Sequence, residues 1–351
     1  MHLDTKIREY PFANKSSASL LICCGGFESR SRAFARKLRK NNCAFQEVLL
    51  LRYLPAQEEN EKSYDWLKAR LTSLSGKVPR TVNFETGKPQ QGFLQIKNAV
   101  EKVSEDIGVK TAVVDITGMS HLVAICAVHS CLILGFRTKI AYTEAKEYFP
   151  LKRVSRKLIR AWREHDYPAA NEFLQSAALK SVDILPEFQG NFRPGRPVCL
   201  MIFAGYEPNR MEGLVNIYAP GALIVLYGKS PYRRLLWRTR LSRELHQELF
   251  GGWLYRPVDI STLDIDKILR TLEREVGIIK DRYDVAITPH CSKMQAIATY
   301  IFWRRHPEVQ IVFTSPVRFH PKRYSRGSGK TFLHDLRSQE LLGRAATKST
   351  L

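Results

Sequence analysis

Val113-Val114-Asp115-Ile116-Thr117-Gly118-Met119-Ser120-His121-Leu122 reads as a buried strand, a turn of small and hydroxylic residues, and the opening of an apolar helix. The chain builds this unit twice. A shift of 171 carries Thr117 onto Thr288, within Val285-Ala286-Ile287-Thr288-Pro289-His290-Cys291-Ser292-Lys293-Met294. Without a gap the same shift carries Tyr142-Thr143 onto Phe313-Thr314, Tyr148 onto Phe319, Pro150 onto Pro321 and Lys152 onto Arg323. The helical stripe Met294, Ile297, Ala298, Ile301 and Phe302 falls on Val123, Cys126, Ala127, Ser130 and Cys131. Upstream, Gly26-Phe27-Glu28 answers to Gly205-Tyr206-Glu207, the shift having drifted to 179. A register held over such different residues is the mark of an internal duplication.

Each copy has a parallel-sheet vocabulary. Leu20-Leu21-Ile22-Cys23-Cys24 and Val198-Cys199-Leu200-Met201-Ile202-Phe203-Ala204 are continuous apolar runs, as expected of strands covered on both faces. Further strands are expected at 47–54, 111–116, 138–142, 222–227, 284–288 and 309–314. Helices are expected at 60–75, 93–107, 121–135, 262–276 and 293–305. Strand alternating with helix is the pattern of a doubly wound sheet. The domain reading is an arm over 1–16, a first domain over 17–150, a basic helical segment and linker over 151–197, a second domain over 198–335, and a tail over 336–351.

The chain of 351 residues suits two domains, each with its own core. Fifty-five Lys and Arg against 34 Asp and Glu give a net charge of +21, with an isoelectric point near 9.8. Such a surface attracts polyanions, nucleic acid first among them. The seven cysteines have no zinc-like spacing and no metal site is expected, so they read as buried reduced thiols of a cytoplasmic protein. Leu122–Phe136, the longest apolar run, is too short to span a bilayer. No membrane partner is expected.

Ligands of an open parallel sheet bind off the carboxyl ends of its strands. The loops 25–32, 117–121, 205–210 and 288–293 qualify, each following an apolar strand and opening a helix, where free N–H groups suit an anion. The candidate ligand-binding residues are Gly26, Glu28, Arg30, Thr117, Ser120, Gly205, Glu207, Arg210, Thr288, Ser292 and Lys293. Helix capping alone explains the hydroxyls equally well. Glu28 and Glu207 would hold a ribose hydroxyl, or else pair with the neighbouring arginines. Asp115 faces Ala286 in the second copy and is the candidate if one half is catalytic.

Two runs interleave cations with aromatics, which suits phosphate contacts plus base stacking. The first holds Lys229, Arg233, Arg234 and Arg238; the second holds Arg318, Lys322, Arg323, Arg326 and Lys330. Both are expected to follow strands of the second half and to line one groove. Gly327-Ser328-Gly329-Lys330-Thr331 lacks the leading glycine of a Walker motif, since Tyr324 stands there, and reads as a flexible phosphate-friendly loop. His290-Cys291-Ser292 is a weak catalytic signal, because neighbours on a turn diverge.

Asp115-Ile116-Thr117-Gly118-Met119-Ser120-His121 resembles the strand–turn–helix of the CARF superfamily of Rossmann-like sensor domains, without that family's Gly-Gly-Thr-Lys continuation. The second copy departs further, with Pro289 in place of Gly118. Two such domains in one chain are similar to the SAVED arrangement, a fused pair that reads a cyclic nucleotide. The resemblance implies a cyclic oligonucleotide or nucleotide ligand at the Thr-Gly turn and a prokaryotic antiviral-defence setting.

The expected fold is thus two tandem α/β Rossmann-like domains with parallel sheets, an internal duplication packed as a pseudo-dimer. The expected function is a nucleotide- or nucleic-acid-binding sensor or recognition subunit of a larger protein assembly, without turnover or a certain cofactor. Two alternatives stand beside it. One is a metal-dependent nucleotide hydrolase, transferase or nuclease using Asp115, Glu28 or Glu207. The other is a basic adaptor docking on an acidic protein.

Overall fold

The structure, a computed structural model, describes residues 20–40, 45–108, 111–247, 249–250 and 253–336. The arm expected over 1–16 lies outside them, as does the tail beyond Leu336. The described residues divide into two units, 20–148 with 325–336, and 149–324.

The first unit runs β1 (Leu20–Cys24), α1 (Ala33–Lys40), β2 (Glu47–Leu54), α2 (Glu58–Ser75), β3 (Arg80–Glu85), α3 (Pro89–Ile107), β4 (Thr111–Asp115), α4 (His121–Ile133) and β5 (Arg137–Tyr148). Its strands lie in the order β5-β4-β1-β2-β3, all parallel. Every residue of β1 is buried, as its unbroken apolar run requires of a central strand. At the edge, β3 (Arg-Thr-Val-Asn-Phe-Glu) buries only Val82 and Phe84. Helix α4 is buried nearly all round, which matches an apolar run without a polar face.

The second unit opens with α5 (Lys152–Arg163), α6 (Tyr167–Asn171) and β6 (Ser176–Asp183). It continues through β7 (Val198–Ala204), α7 (Pro208–Tyr218), β8 (Ala222–Lys229), α8 (Trp237–His246), β9 (Tyr255–Ser261), α9 (Ile265–Ile279), β10 (Asp284–Thr288), α10 (Lys293–Arg305), β11 (Gln310–Ile311) and β12 (Phe313–Phe319). The sheet order is β11-β10-β7-β8-β9, again all parallel. This is the first unit's strand order repeated element by element, with β7 standing for β1 and β10 for β4. The basic helical part expected within 151–197 is α5 and α6, and β6 of the same segment pairs antiparallel with β12, so the segment belongs to the second unit.

The chain then crosses back. The last strand, β13 (Ser325–Asp335), pairs antiparallel with β5 and closes the edge of the first sheet. The second domain expected over 198–335 therefore ends near Tyr324. The loop expected at 327–331 is part of this strand. Gly329 falls where the register shifts between Ser328 and Thr331, and Gly327, just before it, is in the left-handed region at φ 66°. Thr331 anchors the strand by a hydroxyl contact of 2.8 Å to Thr143.

Candidate functional site

In each sheet the chain reverses direction beside the first strand of the copy, which opens a crevice at the carboxyl ends of β1 and β4 and of β7 and β10. The two crevices are built unlike.

In the first unit the crevice is closed by backbone. A Cβ on Gly26 would lie 2.5 Å from the carbonyl oxygen of Gly118, and one on Gly118 would lie 2.2 Å from that of Cys24. The two loops touch main chain to main chain, and only glycine fits on either side. Thr117 is fully buried. Its hydroxyl donates to Asp115 Oδ1 at 2.5 Å and accepts from the Thr143 amide at 3.0 Å. The same Asp115 oxygen accepts from the Thr117 amide at 3.1 Å, so the carboxylate ties a one-turn 3₁₀ helix over Ile116–Gly118. Ser120 caps α4, accepting from the Val123 amide at 3.2 Å. Its own amide donates to the Tyr53 hydroxyl at 2.6 Å.

Glu28 and Arg30 form a bidentate ion pair beneath these loops, with Nε–Oε1 at 3.1 Å and Nη2–Oε2 at 2.9 Å. Both are buried, at 8% and 5% exposure, and Glu28 Oε1 also accepts from Ser325. Nη1 of Arg30 donates to the Thr143 carbonyl at 2.8 Å, and its guanidinium lies 5.6 Å and 5.8 Å from the ring centroids of Tyr142 and Tyr148. Burial alone would disfavour the Arg30 cation, but Glu28 and the two tyrosines hold it charged.

In the second unit the same architecture carries different chemistry. Arg210 again reaches the matching threonine, donating to the Thr314 carbonyl at 2.5 Å and its hydroxyl at 2.8 Å. Yet no ion pair joins it to Glu207 among the described residues. Glu207 turns back instead, accepting from the Tyr206 amide at 3.0 Å. Burial pushes the Glu207 carboxyl up against the pull of Arg210. Burial lowers the Arg210 guanidinium, with Glu207 opposing. Nε of Arg210 is buried with no hydrogen-bond partner.

The opposing wall carries His290, whose Nε2 lies 2.7 Å from the Thr314 hydroxyl. Beside it is Cys291, whose thiol burial pushes up to about 12 while Arg238 pulls it down. A protonated thiol is a poor nucleophile. Ser292 caps α10 in a capping box with Gln295 and donates to the Thr262 carbonyl at 2.7 Å. Lys293 opens that helix, and Thr288 is buried at the end of β10. Gly205 approaches no backbone closely: its nearest neighbours would be Glu207 Oε2 at 2.6 Å and the His290 carbonyl at 3.8 Å.

The cationic runs divide. Arg233 and Arg234 are exposed on a single 3₁₀ turn after β8, and Lys229 lies 3.6 Å from Asp259. Arg238 is spent inside the unit, donating to the Pro150 and Phe149 carbonyls at 2.9 and 2.7 Å and lying 4.7 Å from the Tyr206 ring. In the second run Lys322 is exposed, Arg323 donates to the Asn171 carbonyl at 2.8 Å, and Arg318 sits in β12 opposite Ala177. Arg326 and Lys330 are exposed on β13, which belongs to the first unit, so this run is not confined to the second half as expected. Thr143 and Thr314 were not among the candidates. The signal for them was the shift of 171 that carries one onto the other.

Among the described residues, no group of three His, Cys, Asp or Glu side chains is placed to hold a metal ion, and no helix is long and apolar enough to cross a membrane. No family model matches the chain, and no curated protein matches it. Among solved structures it is similar to a Type III CRISPR defence DNA nuclease activated by cyclic oligoadenylate, with a TM-score of 0.45 and 11% identity over 80% of this chain. The match spans 63% of that nuclease's length. It is similar also to an NADH-dependent reductase complexed with NAD, with a TM-score of 0.22 and 12% identity over 83% of this chain and 90% of the other.

Proposed function

We propose that this chain is a nucleotide- or nucleic-acid-binding recognition protein, and that the crevice of the second unit receives a phosphate of the ligand. The observation that carries the reading is the contrast between two matching arginines. Arg30 is neutralised by both oxygens of Glu28. Arg210 has no carboxylate within ion-pair distance, is depressed by burial with Glu207 only partly opposing, and leaves Nε without an acceptor. A half-buried guanidinium whose Nε is shut off from water without an acceptor is costly by itself and favourable once a phosphate supplies one. The N-terminus of α10 adds its dipole from the opposing wall of the crevice.

In its finer form the ligand is a cyclic oligonucleotide and the protein a sensor subunit of a cytoplasmic antiviral-defence assembly. That form rests on the sequence resemblance of residues 115–121 to a ligand-contacting turn, carried to the second copy of the duplication because Gly26 and Gly118 meet in the first. The second unit then does the binding, and the first is a copy whose crevice is closed by its own main chain.

Calorimetric titration of the purified chain with a cyclic oligoadenylate, a linear dinucleotide and pyrophosphate tests this reading. Arg210→Gln removes a charge-assisted contact and should weaken binding by roughly ten-fold or more, with the ligand recovered intact from the wild type. Unchanged affinity in that variant refutes the crevice as the site, and a broken-down ligand refutes the absence of turnover.

A further inference from the structure

Helix α5 departs from the local rules of helix stability. Its first turn holds Lys152 and Arg153 and no acid, and its N-cap, Leu151, makes no side-chain cap. Cations there oppose the positive end of the helix dipole. Six cations, Lys152, Arg153, Arg156, Lys157, Arg160 and Arg163, lie on its exposed side. Only the last two meet carboxylates, Arg160 on Glu164 at 2.9 Å and Arg163 near Glu244 at 3.8 Å. Among the described residues Lys152, Arg153, Arg156 and Lys157 have no acidic partner. Repulsion among these cations has no structural compensation on the helix, and such departures gather at functional sites.

Between α5 and α8 runs an open cleft of about 400 Å³, lined by Arg156, Ile159, Arg160, Arg163, Glu164 and Glu244. The unpaired cations lead into it from the N-terminal end of α5. The rise of a helix puts Lys152, Arg156 and Arg160 roughly 6 Å apart along its axis, a regular spacing that suits a polymer with a repeating charge. A lipid surface fits poorly. The apolar side of α5, Leu158, Ala161 and Trp162, is packed in a core with Ala170, Leu174, Leu241 and Leu245 and leaves nothing to insert.

We infer that the exposed face of α5 and the cleft beside it are a second binding surface, one that holds the phosphodiester backbone of a nucleic acid. It stands apart from the Arg210 crevice and does not depend on that reading.

The test is fluorescence anisotropy of the full chain with a 20-nucleotide single strand and a 20-base-pair duplex across a salt series. The variant is Arg153→Gln, Arg156→Gln, Lys157→Gln, three exposed positions whose neutralisation should leave the thermal melt unchanged or raised. Losing three phosphate contacts lowers the slope of log affinity against log salt by about two units on the single strand and nearer three on the duplex. Arg39→Gln, Lys40→Gln, two exposed cations at the end of α1 and outside both proposed sites, should keep the wild-type slope when measured alongside. A wild-type slope in the triple variant overturns the inference. So does loss of binding to phosphatidylserine vesicles in that variant while both oligonucleotides keep their slopes.

Discussion

Gly26 and Gly205 occupy the same position of the duplication, and the structure assigns them opposite sensitivities. A methyl group at Gly26 would meet the Gly118 carbonyl oxygen at 2.5 Å and its Cα at 2.8 Å. Both are main-chain atoms held by the Asp115–Thr117 turn. Nothing there yields without moving β1 or β4, and overpacking of this kind costs typically 1–3 kcal/mol. The deficit of most of an ångström against backbone places Gly26→Ala at the upper end, about 3 kcal/mol. The same methyl at Gly205 meets the end of the Glu207 side chain at 2.6 Å and then nothing nearer than 3.8 Å. A rotamer change relieves it for about 1 kcal/mol or less. Hydrogen exchange with peptide resolution measures both in the full chain. Gly26→Ala should speed exchange of the β1 and β4 peptides by about two orders of magnitude, given ten-fold per 1.4 kcal/mol, and leave β7 and β10 alone. Gly205→Ala should leave all four within about five-fold. If Gly26→Ala exchanges like the wild type, the main-chain interlock is not what holds the first crevice shut, and the division of roles between the units fails with it.

Two further outcomes follow from buried groups. Glu28→Gln keeps the shape but leaves the buried Arg30 cation without its counter-ion, and should cost about 3 kcal/mol in denaturant melts; a loss below about 1 kcal/mol would show that Thr143 and the tyrosines suffice. His246 is fully buried, hydrogen-bonds the Ser242 carbonyl at 2.6 Å and stacks on Phe250, and burial pushes it down to about 4. The unfolded chain protonates this ring near 6.5 while the fold resists until about 4. The stability tied to its neutral form is therefore full above about pH 6.5 and lost as pH falls towards 4, by up to about 3 kcal/mol. His246→Phe should flatten stability over that window relative to the wild type, and an equally steep decline in the variant would assign the acid sensitivity elsewhere.

The sequence makes the sheets legible where their strands are central, and hides them where strands are peripheral. β1 and β7 are unbroken apolar runs, and β4 and β10 are apolar between polar ends, because helices cover both faces. The edge strands β3 and β9 alternate polar and apolar residues, and β9 carries Pro257, so they resemble loops. β13 hides for a different reason. Gly327 and Gly329 suggest a phosphate loop, yet they serve an irregular stretch of antiparallel ladder whose partner lies some 180 residues upstream. The site was half visible. Glu28, Arg30, Glu207 and Arg210 are conspicuous in the loops after β1 and β7. Which arginine is paired depends on whether a neighbouring glutamate faces it or folds back to its own backbone, and no spacing encodes that. Likewise Thr117-Gly118 has the composition of a phosphate turn, but composition does not distinguish a glycine that admits a ligand from one that admits another strand's loop.

One substitution accounts for much of the divergence between the halves. After β4 the chain folds directly into the 3₁₀ turn Ile116–Gly118, which carries Gly118 against Gly26. After β10 the corresponding residue is Pro289. A proline disfavours helical dihedrals in the residue before it, here Thr288, so the equivalent turn cannot begin at the same place. The chain leaves the strand extended and presents His290 and Cys291 instead of a main-chain plug. A Cβ on Gly205 would lie 3.8 Å from the His290 carbonyl, an ordinary contact, where one on Gly26 would lie only 2.5 Å from that of Gly118. With the loops parted, Glu207 folds onto the Tyr206 amide and Arg210 is left holding Thr314 alone on one side. The first copy closes its crevice with its own backbone, and the Gly-to-Pro difference at the switch point is a local reason why the second does not.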